Sequence, residues 1–315
     1  MLSIVLPARV VAGKPAMLAV LGANGKLLPD VAADVAGTRV TTDATGRAYF
    51  TAPATGRFLV ANASGFSAAT LIDAANITAT HVATVAPEVA AIREPFSIFT
   101  GSFGGNPETA HVRIDGEPAL VLAASPMCLT VLAGREAKPG PAQISIASAV
   151  EPGLQWTART TLVALHPEFS EPNTVPGQKA KITVRLAGSE KRLRVAIENQ
   201  SPGVLRFAGE DIQEVLTTGG EENIAQLETQ TIRSGDFSFT ARLLPPPNES
   251  MAIIYLDGAT PMAPDSVRQN VAKLAKNLVR HHDLDSARRG LDQMIGQTMP
   301  GDFRTLLLAA REAID

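Results

Sequence analysis

FTGSFGGNPETAHVRIDGEPALVL (residues 99–122) gathers Gly101, Gly104 and Gly105 within five positions. A glycine loop that cradles phosphate must pass into a helix, whose N-terminal N–H groups and dipole receive the anion. A turn between strands needs only the backbone freedom that glycine supplies. The residues that follow decide between the two. After Asn106-Pro107, Val112 and Ile114 alternate with His111, Arg113 and Asp115, which is the two-residue period of a strand. That strand runs into Asp115-Gly116, a two-residue hairpin signal. No Gly-Lys-Ser/Thr is present. The glycines are architectural, and the chain reads as mainly β.

The same signals extend outward in both directions. Toward the N-terminus, PAMLAVLGANGKLLPDV joins an apolar run to a hairpin signal at Asn24-Gly25. RVTT then leads to a turn at Asp43–Gly46, after which Ala48 and Phe50 alternate with polar neighbours, and Phe58 and Val60 repeat the alternation before Gly65. Toward the C-terminus, HPEFSEPNTVPGQ suits a linker or a first edge strand. Beyond it, Ile182, Val184 and Leu186 share one face, as do Leu193, Val195 and Ile197, and Phe237, Phe239, Ala241 and Leu243. FAGEDIQEVLTTGGEENIAQLETQ, with Glu210, Asp211, Glu214, Glu221 and Glu222, lacks the spacing that gathers oxygen ligands round calcium and reads as a solvated loop. Arg185, Lys191, Arg192 and Arg194 fall on or beside an outward face. They serve either as edge-protecting charge or as a contact for an anionic polymer.

Two stretches resemble known modules. VTTDATGRAYFTAP, within residues 1–86, resembles the paired strands of bacterial immunoglobulin-like and carboxypeptidase-regulatory-like domains. Residues 87–163 resemble the IPT/TIG immunoglobulin-like family. The resemblance rests on Gly101, Phe103, Gly104 and Gly105, then Val112 and Gly116, then Ser125-Pro126 with Leu129 and Val131, then Pro139-Gly140 before AQISIAS. REPFSIF replaces that family's usual opening. The resemblances imply three tandem immunoglobulin-like β-sandwich domains, at 1–86, 87–166 and 167–260, on an exported or cell-surface bacterial protein. If the protein is exported, MLSIVLPARV, which has no basic leader region and reads as a strand, implies a signal peptide already removed.

After Pro264 the period changes. Val267, Val271, Leu274 and Leu278 recur at helical spacing, Leu291, Met294 and Ile295 follow, and Phe303, Leu306 and Leu307 open a third short run. Residues 261–315 are therefore expected to form a small α-helical segment, with Val267, Val271, Leu274, Leu278, Leu291 and Phe303 as its partner-docking face.

Composition narrows the function. The 315 residues are 45% hydrophobic but only 4% aromatic, with 25 Gly and 22 Pro, so cores are aliphatic and turns frequent. Net charge is −3, and the most basic stretch, 1–86, holds 6 basic against 4 acidic residues, which excludes the basic excess of a nucleic-acid binder. The single cysteine, Cys128, excludes an internal disulfide and reads as a small core residue. No apolar run is long enough to insert in a membrane. His281, His282, Asp283 and Asp285 cluster, but adjacent histidines point about 100° apart on a helix, so no metal is expected. His81, His111 and His166 stand singly, Trp156 and Tyr255 read as core, and no catalytic pattern or cofactor motif is present. The expectation is a non-enzymatic structural or adhesion protein with a protein partner or self-association. A glycan- or polymer-binding module, and an accessory region of a larger secreted enzyme, are the alternatives.

Overall fold

A computed structural model describes residues 2–22, 25–55, 58–73, 86–99, 110–148, 155–170 and 175–244, and every regular element among them is a β-strand. Gly101, Phe103, Gly104, Gly105, Asn24, His81, Tyr255, and the whole expected helical segment with Val267, Val271, Leu274, Leu278, Leu291 and Phe303, lie outside the described residues.

The N-terminal strands are β1 (Leu2–Val5), β2 (Arg9–Val11), β3 (Pro15–Gly22), β4 (Ala32–Val35), β5 (Thr38–Thr41), β6 (Arg47–Thr51), β7 (Phe58–Ala63) and β8 (Phe66–Asp73). One layer pairs β1 and β6 with β3, and the other runs β2-β8-β7-β4-β5. The first edge is split between layers, because β2 crosses over to run parallel with β8. This is the strand order of an immunoglobulin-like sandwich. Its interior is aliphatic, with Val10, Leu18, Val20, Val35 and Leu59 among its buried residues. The turn at Asp43 forms as expected: its Oδ1 accepts from the Thr45 N–H at 2.7 Å and the Arg47 N–H at 3.2 Å. Ala48 and Phe50 point inward.

In β7 the phase is the reverse of the expected one. Leu59, Ala61 and Ala63 are the buried set, and Val60 is half-buried on the other face. The Ser64-Gly65 hairpin, which pairs Ala63 with Phe66, fixes this register.

The next strands are β9 (Val89–Ala91), β10 (Phe96–Phe99), β11 (Ala110–Ile114), β12 (Glu117–Pro118), β13 (Leu120–Ser125), β14 (Cys128–Leu132), β15 (Gly140–Ser148) and β16 (Gln155–Phe169). A second core, with Ile98, Leu129, Val131, Ile144 and Ile146, lies between the β13-β14-β10 layer and the β12-β11-β15-β16 layer. The Asp115-Gly116 hairpin forms with φ of +50° and +83°, as its type I′ geometry demands. Trp156 packs against this core.

The first and second cores share a sheet. β13 joins β3 at Ala124 opposite Met17. This explains why PAMLAVL does not alternate: Ala16, Leu18 and Val20 face the first core, while Met17 faces the second, so both faces of β3 are buried. A bulge between Val121 and Ala123 accompanies Leu122, which packs with Ala19 and Leu21 between the cores. The Arg47 guanidinium donates to the Val121 carbonyl from two nitrogens, at 3.0 and 2.7 Å.

Cys128 is buried as expected, at 0% exposure, and burial pushes its thiol up to about 11. Both faces of β14 are covered, because Cys128, Leu129, Thr130 and Val131 are all buried. Leu129 and Val131 face the second core. Behind them the crossing segment Leu6–Arg9 covers the strand: the Thr130 hydroxyl donates to the Leu6 carbonyl at 3.3 Å and Ser125 to that of Arg9 at 2.6 Å.

The last strands are β17 (Lys179–Ala187), β18 (Arg194–Asn199), β19 (Leu205–Phe207), β20 (Ile212–Leu216), β21 (Asn223–Thr231) and β22 (Phe239–Leu243). They enclose a third core of Ile182, Val184, Leu186, Val195, Ile197, Phe207 and Ala225. The acidic stretch 207–230 is not a solvated loop, because β20 and most of β21 fall within it. Val215, Ala225 and Leu227 reach the core, while Glu210, Asp211, Glu214, Glu221 and Glu222 stay exposed. Alternation at that spacing hides a strand behind its charged face.

Candidate functional site

The feature that most constrains use is the joint between the second and third cores. HPEFS does not act as a linker: His166 to Phe169 continue β16 and pair with β17, Pro167 opposite Val184. One uninterrupted strand of 15 residues therefore serves both cores. Ala158 and Leu162 point into the second core, Leu165 and Phe169 into the third, so the strand gives its two faces to two interiors. Where the faces change over, Val163 meets Val89 and Ala91 from one side and Leu193 and Leu243 from the other.

Polar groups tie the same joint. The Thr160 hydroxyl donates to the Pro87 carbonyl at 2.8 Å, and the Thr161 N–H to the Glu88 carbonyl at 2.9 Å. Glu88 pairs with Lys191 across the joint. Glu94 accepts the Leu243 N–H at 3.2 Å, and burial raises its carboxyl to about 7. The nearby positive charge of Arg242 and that hydrogen bond pull the other way without prevailing.

Beside the joint lies an open trough of about 530 Å³. Its floor is the outward face of β15 and β16, where Gln143 stands opposite Arg159 and Pro141 opposite Thr161. Glu88 and Asp115 line it as well. Both carboxylates already have partners, because the Asp115 Oδ1 accepts the Gln143 N–H at 2.7 Å and Glu88 holds Lys191. The trough offers hydrogen bonds of both polarities on a fixed strand surface.

The remaining residues singled out in the sequence are dispersed. His111 and His166 are exposed on different strands, and among the described residues no group of three or more His, Cys, Asp or Glu side chains is placed to hold a metal ion. Arg185 pairs with Glu168 at 3.2 Å, Arg194 with Glu214, and Arg192 donates to the Thr218 carbonyl at 3.1 Å. With Lys191 on Glu88, all four cations are engaged within the fold, which favours the structural reading over an anionic-polymer contact. The trough itself was not read from the sequence, since Gln143 and Arg159 come together only through the β15–β16 register.

No protein-family model matches the chain, and no curated protein matches it. Among solved structures it is similar to a mixed-linkage glucan utilization locus protein of Bacteroides ovatus, SGBP-B, in complex with a mixed-linkage heptasaccharide. That likeness has 11% identity and a TM-score of 0.27, covering 75% of this chain and 73% of that one. It is also similar to the plexin A4 extracellular region, at 11% identity and a TM-score of 0.29, over 80% of this chain. A third likeness is to invasin, a bacterial integrin-binding protein, at 14% identity and a TM-score of 0.21, over 77% of this chain. The chain spans 32% of the plexin chain and 56% of the invasin chain. No helix among the described residues is long and apolar enough to cross a membrane.

Proposed function

We propose that this chain is a non-catalytic rigid arm of a bacterial cell-surface or secreted protein, built of three immunoglobulin-like domains at 1–86, 87–166 and 167–260. The middle one is of the IPT/TIG type, and the helical segment at 261–315 serves docking or oligomerisation. The arm holds a partner-binding surface at a fixed distance and orientation, as adhesion requires. One observation carries this reading: β16 crosses from the second core to the third without a break. Tandem domains joined by free linkers move independently, whereas a strand hydrogen-bonded at both ends transmits orientation. Spin labels on H111C and R206C, both at exposed positions, test it, with the buried Cys128 left unlabelled. Pulsed dipolar spectroscopy is expected to return one distance, no broader than the labels' own spread. A broad or multiple distribution would overturn the rigid arm.

The trough favours a second reading, in which the arm carries a polysaccharide ligand on the β15–β16 face. Arg159 and Gln143 supply donors beside the acceptors Glu88 and Asp115, a mixture that matches vicinal hydroxyls. Calorimetric titration with a panel of soluble polysaccharides is expected to give binding that R159A weakens about tenfold, the loss of one charge-assisted hydrogen bond. Equal binding by the two proteins would remove the trough from this role.

A further inference from the structure

The trough beside the joint keeps little of its own charge for a ligand. Glu88 is neutralised by Lys191, which reaches it from the connection between β17 and β18. Asp115 has one carboxylate oxygen committed to the Gln143 N–H. Of the three charged residues that line the trough, only Arg159 has no hydrogen bond or ion pair among the described residues. The register explains why. Gln143 stands opposite Arg159 on β15, and Thr157 and Thr161 flank it on the same face of β16, so its neighbours in the sheet are uncharged. Arg185 and Arg194, by contrast, each pair with a glutamate of the adjoining strand. Asp115 extends the β11–β15 pairing by one residue, its N–H donating to the Gln143 carbonyl at 2.9 Å. Asp115, Gln143 and Arg159 therefore form one row across three strands, with ends about 10 Å apart at two strand spacings. The row runs from an acceptor through an amide to an uncommitted guanidinium.

We infer that the trough selects an acidic polysaccharide, in which a uronate carboxylate pairs with Arg159 while hydroxyls of the same chain bond Gln143 and the second oxygen of Asp115. The inference rests on the polysaccharide reading of this face and names the ligand class within it. A guanidinium presents its N–H groups in a fork that matches the two oxygens of a carboxylate, so the pairing fixes orientation as well as charge. Asp115 repels a second anionic group at the far end of the row, so charge is admitted at one end only. That pattern suits a carboxylate on a hydroxylated ring better than a densely sulfated chain. Lys191 makes the site depend on the third core, because without it Glu88 would set a bare carboxylate beside the ligand.

Calorimetric titration of the full-length chain compares tetragalacturonate with its fully methyl-esterified form, which has the same rings and linkages and no charge. The acid is expected to bind about tenfold more tightly than the ester, with the preference shrinking as salt is added. Arg159→Gln, at an exposed position, keeps a hydrogen-bond donor without the charge and is expected to bind the two forms alike. Lys191→Gln is expected to weaken binding of the acid and leave that of the ester unchanged. Equal binding of acid and ester by the wild-type chain would overturn the inference and leave the polysaccharide reading standing. An acid preference that survives in Arg159→Gln would place the anion elsewhere, and a preference for dextran sulfate over tetragalacturonate would assign the guanidinium to sulfate; either overturns it. Binding of neither probe overturns it as well, and the titrations with neutral polysaccharides then decide whether the broader reading survives.

Discussion

Gly188→Ala is expected to destabilise the joint by about 3 kcal/mol or more, with unfolding of the third core shifted to lower denaturant. Two penalties combine at this position. Gly188 follows β17 with φ of +100°, a conformation that an L-residue rarely adopts. A Cβ there would lie 2.3 Å from the Leu162 carbonyl oxygen, 2.7 Å from the Gly140 nitrogen and 2.7 Å from the Pro139 Cβ. Gly140 and Leu162 face each other across β15 and β16, so the obstacle is paired backbone that cannot rotate aside. The new methyl must push the third core off the second. Gly177→Ala separates the two penalties, because Gly177 has φ of +83° and nothing within 4 Å of an added Cβ. That control is expected to lose only about 1 kcal/mol, the backbone strain alone. Equal losses in the two variants, read from urea midpoints, would show that the contact at Gly188 contributes nothing.

Much of the β architecture is legible in the sequence, and the joints are not. Ile182, Val184 and Leu186, or Val112 and Ile114, announce a strand with one buried face because each is separated by residues that meet water. The same logic mistakes the phase at β7, where bulky Phe58 and Val60 look like the core and the small Ala61 and Ala63 are the residues enclosed. It also loses β20 and β21 among glutamates. A joint leaves a fainter trace. PAMLAVL fails to alternate because a second set of residues covers its outer face, while Leu129-Thr130-Val131 of β14 alternates and is nevertheless covered on both faces. The Pro-rich stretch from His166 reads as a linker or a first edge strand, and nothing in it signals that the strand through Leu162-Val163 continues and passes from one core to the other. The trough depends on register between β15 and β16, which no single segment encodes. Short-range pattern reports burial of a face. It does not report what buries it.

The second large effect is a pH dependence centred on Glu94. This side chain reaches from the turn after β9 to the Leu243 N–H on the edge of β22, and burial holds its carboxyl at about 7 against an ordinary value of 4.5. The native state therefore keeps a proton that the unfolded chain releases between those two values. Stability is fully present below about 4.5, falls as pH rises, and levels off once the native carboxyl ionises above about 7. Arg242 is the charged group whose field opposes this, and it limits the shift without cancelling it. Glu94→Gln keeps an oxygen to accept from Leu243 and cannot ionise. The wild-type chain is expected to lose about 2 kcal/mol more than this variant between pH 5 and pH 8, so that the two are close in acid and the variant is the more stable in mild base. Urea unfolding across that range measures the difference. Parallel profiles for the two proteins would mean that Glu94 ionises freely in the native state and that the edge of β22 admits water at the joint. A convergence in acid would instead mark the joint as dry, sealed by the same packing of Val163, Leu193 and Leu243 that lets one strand carry two cores.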